Sequence, residues 1–294
     1  MMPKQPEKVC IGIPAYGTQP PDFWVPFTRL VGRLYQYDIE FLDVLWWGSM
    51  RVDGNRNTIA RSFLATEADW LFWIDADNVN PVASIRRLLD TAGQQKKLVS
   101  GIYYSKQDPP ETKPIVYVDA GNGRYRNLTN WERGEILPVE AAGMNCLLSH
   151  RSVFEDIDKN YVTMRLTAGG DIAIHRDDIV GDIFDNQSHP DDGKVIDGVL
   201  RQRIFPPEQE LNVPFFELRY QRTEDMNFFE KARRCGHTLW VDTSVECGHL
   251  KWAQATGKEY RETSGNRPRR GGIGEVPVSG RERDDDADWL IKAR

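Results

Sequence analysis

The stretch at residues 69–78, DWLFWIDADN, constrains the fold of this chain more than any other. Its apolar residues do not alternate with polar ones, so an extended chain here is apolar on both faces, the pattern of a strand with helices packed on each side. Residues 69–74 therefore predict the central strand of a covered sheet, and that strand delivers Asp75 and Asp77 at its carboxyl end. Flanking segments agree. Residues 9–13, VCIGI, read as a first buried strand closed by Pro14 and followed by the loop PAYGTQPP. Phe27, Leu30, Val31 and Leu34 share one helical face, and residues 39–47 read as a second strand. A helix starting near Asn55 turns Ile59, Ala60, Phe63 and Leu64 inward and leads into the acid strand. Beyond it, Pro81 takes the first position of a helix with Val82, Ile85, Leu88 and Leu89 inward, and KLVSGIYYS supplies another strand. Strand and helix alternate to about residue 105, which predicts a mainly parallel α/β sheet. Such sheets bind ligands at the carboxyl ends of their strands, where Asp75 and Asp77 stand.

The second half is less regular. Residues 106–130 are loops rich in Pro and Gly, with PIVYV as a strand, and VEAAGMNCLLSHRSVFE reads as a strand of small residues turning into a helix near Ser149. Residues 176–197 read as a loop rich in aspartate (Asp177, Asp178, Asp182, Asp185, Asp191, Asp192), either a solvated insertion or a second cation site. Thr223 caps a helix that Gly236 closes, a strand follows at 238–241, and His249 comes after it. Residues 1–8 read as a disordered lead-in, and 254–294 as a mobile tail whose short terminal helix, DADWLIKAR, docks Trp289 and Leu290 on the body.

No apolar run approaches the roughly 20 residues of a membrane helix, and the first eight residues lack a secretory apolar core. Four cysteines scattered between positions 10 and 247 read as free thiols in a reducing, cytoplasmic compartment. The net charge of −6 argues against a general nucleic-acid binder, although RETSGNRPRR at 261–270 is locally basic.

Two carboxylates spaced D-x-D suit a divalent cation such as Mg²⁺ or Mn²⁺, or a cation and a ribose; they suit equally a polar strand end with Asp77 or Asn78 making a turn. The order of several motifs narrows this. IGIPAYG at the first strand, GNRNTIA on the helix before the acid strand, DAD itself, TEDMNFFEKARRCGHTLWVD and CGHL together resemble the family-2-like nucleotide-sugar glycosyltransferases of the GT-A fold. The resemblance runs in order over about residues 9–250 and is poor over 162–215. It implies one catalytic domain at 9–253, with a nucleotide-binding half (9–105), an acceptor half (106–253) carrying the variable insertion 162–215, and a lid or tail at 254–294.

By that resemblance Asp75 and Asp77 hold the metal bridging the donor diphosphate, one of them reaching the ribose, and His249 completes the metal site. An imidazole among carboxylates favours Mn²⁺ over Mg²⁺. Pro14, Ala15 and Tyr16 lie where the family holds the nucleotide base, and Ala76 lies between the two acids. Arg56 and Asn57 match the motif before the acid strand, where a guanidinium fork suits phosphate oxygens. Arg51 and Arg61 nearby read as surface arginines. Asp225, beside Glu224, inherits the general base, an alternative to a plain helix-start role for both acids. Lys251 and Trp252 follow His249 as candidates to cover diphosphate and sugar, with Lys258 and Arg261 in the same lid. The implied reaction is metal-dependent transfer from a nucleotide-diphosphate sugar, UDP favoured, to a hydroxyl acceptor, with inversion of the anomeric centre favoured and retention, which related GT-A enzymes with a similar D-x-D and late histidine use, left open. The acceptor is open: a saccharide, a lipid-linked group, a small metabolite, a protein side chain or a modified DNA base.

Three rivals stand beside this reading. A nucleotidyltransferase on a related sheet needs metal and carboxylates too, but the first loop lacks the Gly-rich, basic character it would carry. A non-catalytic binder of sugar or nucleotide would retain the same residues. The pairs Cys235/His237 and Cys247/His249 suggest a zinc site, at a spacing unlike the usual one.

Overall fold

The computed structural model describes residues 6–15, 19, 21–48, 50–93, 95–106, 112–121, 124–165, 171–178, 194–196, 199–201, 212–218 and 222–250. The chain divides into a compact unit, Met1–Lys251, and a second unit, Trp252–Arg294; every described residue belongs to the first. In chain order the elements are β1 (Glu7–Pro14), α1 (Pro21–Leu34), β2 (Ile39–Trp47), α2 (Val52–Leu64), β3 (Trp70–Trp73), β4 (Asn78–Val79), α3 (Ser84–Ala92), β5 (Leu98–Tyr103), β6 (Val116–Gly121), β7 (Arg124–Asn127), β8 (Ile136–Val139), β9 (Ala141–Ala142), β10 (Leu147–His150), α4 (Arg151–Asn160), β11 (Tyr161–Arg165), β12 (Asp171–His175), β13 (Lys194–Ile196), β14 (Val199–Arg201), α5 (Glu224–Arg234) and β15 (Leu239–His249).

The main sheet runs β2-β1-β3-β10-β5-β15-β4, with β8 also paired to β15. β1 is parallel to both β2 and β3, and β5 to β15, while β10 enters antiparallel between β3 and β5. Five strands thus share one direction, and the α/β class expected from the alternation is the one observed. The acid strand occupies the predicted centre: Leu71 and Trp73 pack into one core with Ile59, Phe63, Phe154 and Phe216, whereas Trp70, Phe72 and Ile74 pack into the other with Ile11, Leu30, Ile85 and Leu88. Burial on both faces is why no alternation appears in the sequence. Gly12 in β1 lets α2 approach closely, since a Cβ there would lie 2.8 Å from a methyl of Ile59.

Several boundaries differ from expectation, each for a local reason. α1 begins at Pro21, before the face that starts at Phe27, because Phe23 extends the buried row of Leu30 and Leu34 across Pro26. α2 begins at Val52, with Asn55 and Arg56 buried within it. α3 begins at Ser84: Pro81 opens a preceding turn in which the Ser84 amide donates to the Pro81 carbonyl at 3.0 Å. Thr223 stands at the N-cap of α5, but its hydroxyl donates to the Asp225 carboxylate, leaving the helix amides to other partners. Gly236 closes α5 at φ +88°, its amide donating to Arg233 and that of His237 to Ala232. The strand expected at 238–241 runs on to His249 through a register shift between Val241 and Glu246. All four cysteines are free. No helix among the described residues is long and apolar enough to cross a membrane.

Candidate functional site

After Trp73 the chain leaves the sheet, and the DADN segment closes a turn in which the Asn78 amide donates to the Asp75 carbonyl at 3.0 Å. The Asp75 amide donates to Asn145 Oδ1 at 3.2 Å, and Asn145 is locked to Asn80 by a buried amide pair at 3.0 Å. β4 then pairs with the end of β15, setting Asn78 opposite His249, and the Leu250 amide donates to the Asp77 carbonyl at 2.7 Å. The short ladder is what brings His249 to Asp77.

Two ionic groups result. In the first, Arg56 reaches from α2 with its side chain 5% exposed. It donates from Nη2 to Asp75 Oδ1 at 3.0 Å and places Nε 3.4 Å from Glu224 Oε1 at the start of α5. Its Nε and Nη1 are buried and make no hydrogen bond. Burial raises the Asp75 carboxyl above its ordinary range, Arg56 opposes this, and Asp77 and Asp225 reinforce it. Burial likewise raises Glu224, against Arg56 and with Asp225 and Asp75. Asp225 is half-buried, and its Oδ1 accepts from the Met226 amide at 2.8 Å. Tyr103, at the end of β5, is buried beside this group; burial first, then Asp75 and Asp225, push its phenol well up.

In the second group, Asp77 Oδ2 accepts from the Lys106 ammonium and lies 3.6 Å from His249 Nε2. Nδ1 of the same ring lies 2.8 Å from the Tyr104 carbonyl. That carbonyl only accepts, so Nδ1 carries a proton toward it, and Nε2 is the ring nitrogen that faces Asp77. Burial works to raise the Asp77 carboxyl, but hydrogen bonds to His249 and Lys106 outweigh it and hold the group well below the usual range.

Asp75, Asp77, Glu224, Asp225, Arg56 and His249 thus gather at one edge of the sheet. Pro14 and Ala15 are buried at the end of β1, where the Ala15 amide donates to the Trp47 carbonyl at 2.9 Å; Ala76 is half-buried between the two groups. Asn57 faces elsewhere: it donates to the Phe216 carbonyl at 2.7 Å and accepts the Phe215 and Phe216 amides at 2.8 and 3.0 Å. Arg51 binds Asp53, and Arg61 forks onto Asp158. Tyr16, Lys251, Trp252, Lys258 and Arg261 lie outside the described residues, as do Asp182, Asp185, Asp191 and Asp192. Sequence reasoning missed Lys106, Tyr103 and Asn145. Lys106 carried a usable signal, since it follows the KLVSGIYYS strand at the same ligand-binding edge.

Among the described residues no group of three or more His, Cys, Asp or Glu is arranged to hold a metal ion. Asp77 and His249 are nonetheless a fitting pair of donors, with the imidazole oriented from behind by a carbonyl, as metal-binding histidines are. Asp75 is turned toward Arg56 instead. The zinc alternative finds no support in the partners of its residues: His237 lies 2.9 Å from Asp156, and Cys247 is buried against Cys146.

No protein-family profile matches the chain, and no curated protein matches it. Solved structures do. A197 from STIV is similar at 14% identity and a TM-score of 0.44, over 84% of this chain and 86% of that one. GalNAc-T7, solved with UDP, GalNAc and Mn²⁺, is similar at 10% identity and a TM-score of 0.48, over 85% of this chain and 45% of that one.

Proposed function

We propose that the chain is a GT-A nucleotide-sugar glycosyltransferase, a cytoplasmic enzyme that moves a sugar from a nucleotide diphosphate, UDP favoured, to a hydroxyl acceptor with inversion. The observation that supports this reading best is the meeting of a strand-end acid pair, the strand-end His249 and the helix-start acids Glu224 and Asp225 at one carboxyl edge of the sheet. The order of those residues in the sequence adds to it.

Asp77 and His249 would hold Mn²⁺ or Mg²⁺, which when bound neutralises charge on the departing diphosphate. Arg56 fixes Asp75 and Glu224 from within the core, so the Asp75 carboxylate is preset before any ligand arrives. Asp225, the half-exposed acid at the helix start, would accept the proton of an acceptor hydroxyl as its oxygen attacks. The acceptor is a saccharide, a lipid-linked group, a small metabolite, a protein side chain or a modified DNA base.

A thermal-shift panel of UDP-, GDP-, ADP-, CDP- and dTDP-sugars with Mn²⁺, Mg²⁺ or EDTA tests the proposal, because a ligand of the native state raises its melting temperature. One nucleotide should stabilise the protein only with metal. Asp77→Ala and His249→Ala should remove that shift, whereas Asp225→Ala should keep it and abolish transfer. No shift with any pair would overturn the reading.

A further inference from the structure

Lys106 stands three residues beyond the end of β5, and its ammonium sits on Asp77 Oδ2, the oxygen that also faces His249 Nε2 at 3.6 Å. A divalent ion held by both donors would lie about 2.0–2.2 Å from each. It would then share one carboxylate oxygen with the lysine ammonium, and two cations at contact distance around one oxygen repel strongly. The two ionic groups differ in what can yield. The Arg56 side chain is 5% exposed and pinned between two carboxylates, whereas that of Lys106 is 48% exposed on a flexible stem.

We propose that Lys106 is the resident counter-ion of the Asp77–His249 pair, which must withdraw for a divalent cation to bind and so sets the affinity of the site for metal. The inference rests on the reading of that pair as cation-binding. In the metal-free protein the ammonium neutralises Asp77. With a cation in place, the Lys106 ammonium is released from the carboxylate.

The test is a Mn²⁺ titration of the full chain without nucleotide, followed by the loss of the free-ion paramagnetic resonance signal. The variants are Lys106→Met, Lys106→Arg, Asp77→Asn and the double variant Lys106→Met/Asp77→Asn, each confirmed as folded by thermal melting. Lys106→Met should bind Mn²⁺ at least tenfold more tightly than the unaltered protein, Lys106→Arg should not, and the double variant should lose the gain. If Lys106→Met and the unaltered protein bind equally while Asp77→Asn abolishes binding, the competition is refuted and the metal reading stands. If none of them binds Mn²⁺, the competition falls with the cation site, and the nucleotide panel then judges the transferase reading separately.

Discussion

Asp75 and Asp77 are two residues apart and chemically identical, yet the structure uses them in opposite ways. Asp75 turns into the core, against a guanidinium that α2 buries and a glutamate that α5 supplies; Asp77 turns out to a lysine and a histidine at the strand ends, 42% exposed. The first group is built by packing and is fixed. The second is built by exchangeable ions at a rim. A strand that buries both faces can deliver one acid to each environment from a single turn, which is what the D-x-D spacing accomplishes here.

The sharpest way to break the comparison is Arg56→Met. It leaves Asp75 and Glu224 in the core without their shared cation, a situation that costs about 3–5 kcal/mol when one partner of a buried ion pair is removed. Urea unfolding at neutral pH should show that loss. A cost below about 1 kcal/mol would mean the inner group is as exchangeable as the outer one.

Asn57→Ala sharpens the boundary of the inner group. The neighbouring side chain on α2 carries three hydrogen bonds to the backbone of Phe215 and Phe216, and leaving those groups unpaired should cost about 2 kcal/mol. Metal-dependent nucleotide affinity should survive, measured on the folded fraction. Weaker binding with unchanged stability would return Asn57 to the ligand, as the motif resemblance implies.

Much of this was legible in the sequence. The apolar run of β3, the alternation around it and the cap at Gly236 depend on periodicity and on glycine's access to positive φ, both local properties. The acid pair and His249 were legible as residues. Their division into two groups was not, because it depends on β4 pairing with the far end of β15 and on Arg56 rising from α2, contacts between segments up to about 170 positions apart. The antiparallel entry of β10 was hidden for the same reason: a four-residue run, Leu147–His150, states its burial and not its direction. Helix starts at Pro21, Val52 and Ser84 moved because apolar spacing marks a buried face, while chain ends are set by single hydrogen bonds.

The smallest expected effect is also the most direct contrast, and it lies in pH. Glu224 has its carboxyl raised by burial above the ordinary value of about 4.3, so its contribution to stability is fully present below that value and is lost as pH rises through the raised one. Asp77 is the reverse: held low by His249 and Lys106 against the effect of burial, it contributes stability above the ordinary carboxylate range and loses it only in strong acid. Glu224→Gln should therefore gain in melting temperature relative to the unaltered protein as pH goes from about 4 to 8. Asp77→Asn, whose ion pair is half-exposed and screened, should cost under about 1 kcal/mol at neutral pH. Its deficit should shrink only toward strong acid. Melting curves of both variants in EDTA, taken from about pH 2 to 8, read the two signs in one experiment. Parallel curves for the two would show that the inner and outer carboxylates feel the same environment, and the division between a fixed group and an exchangeable one would fall with them.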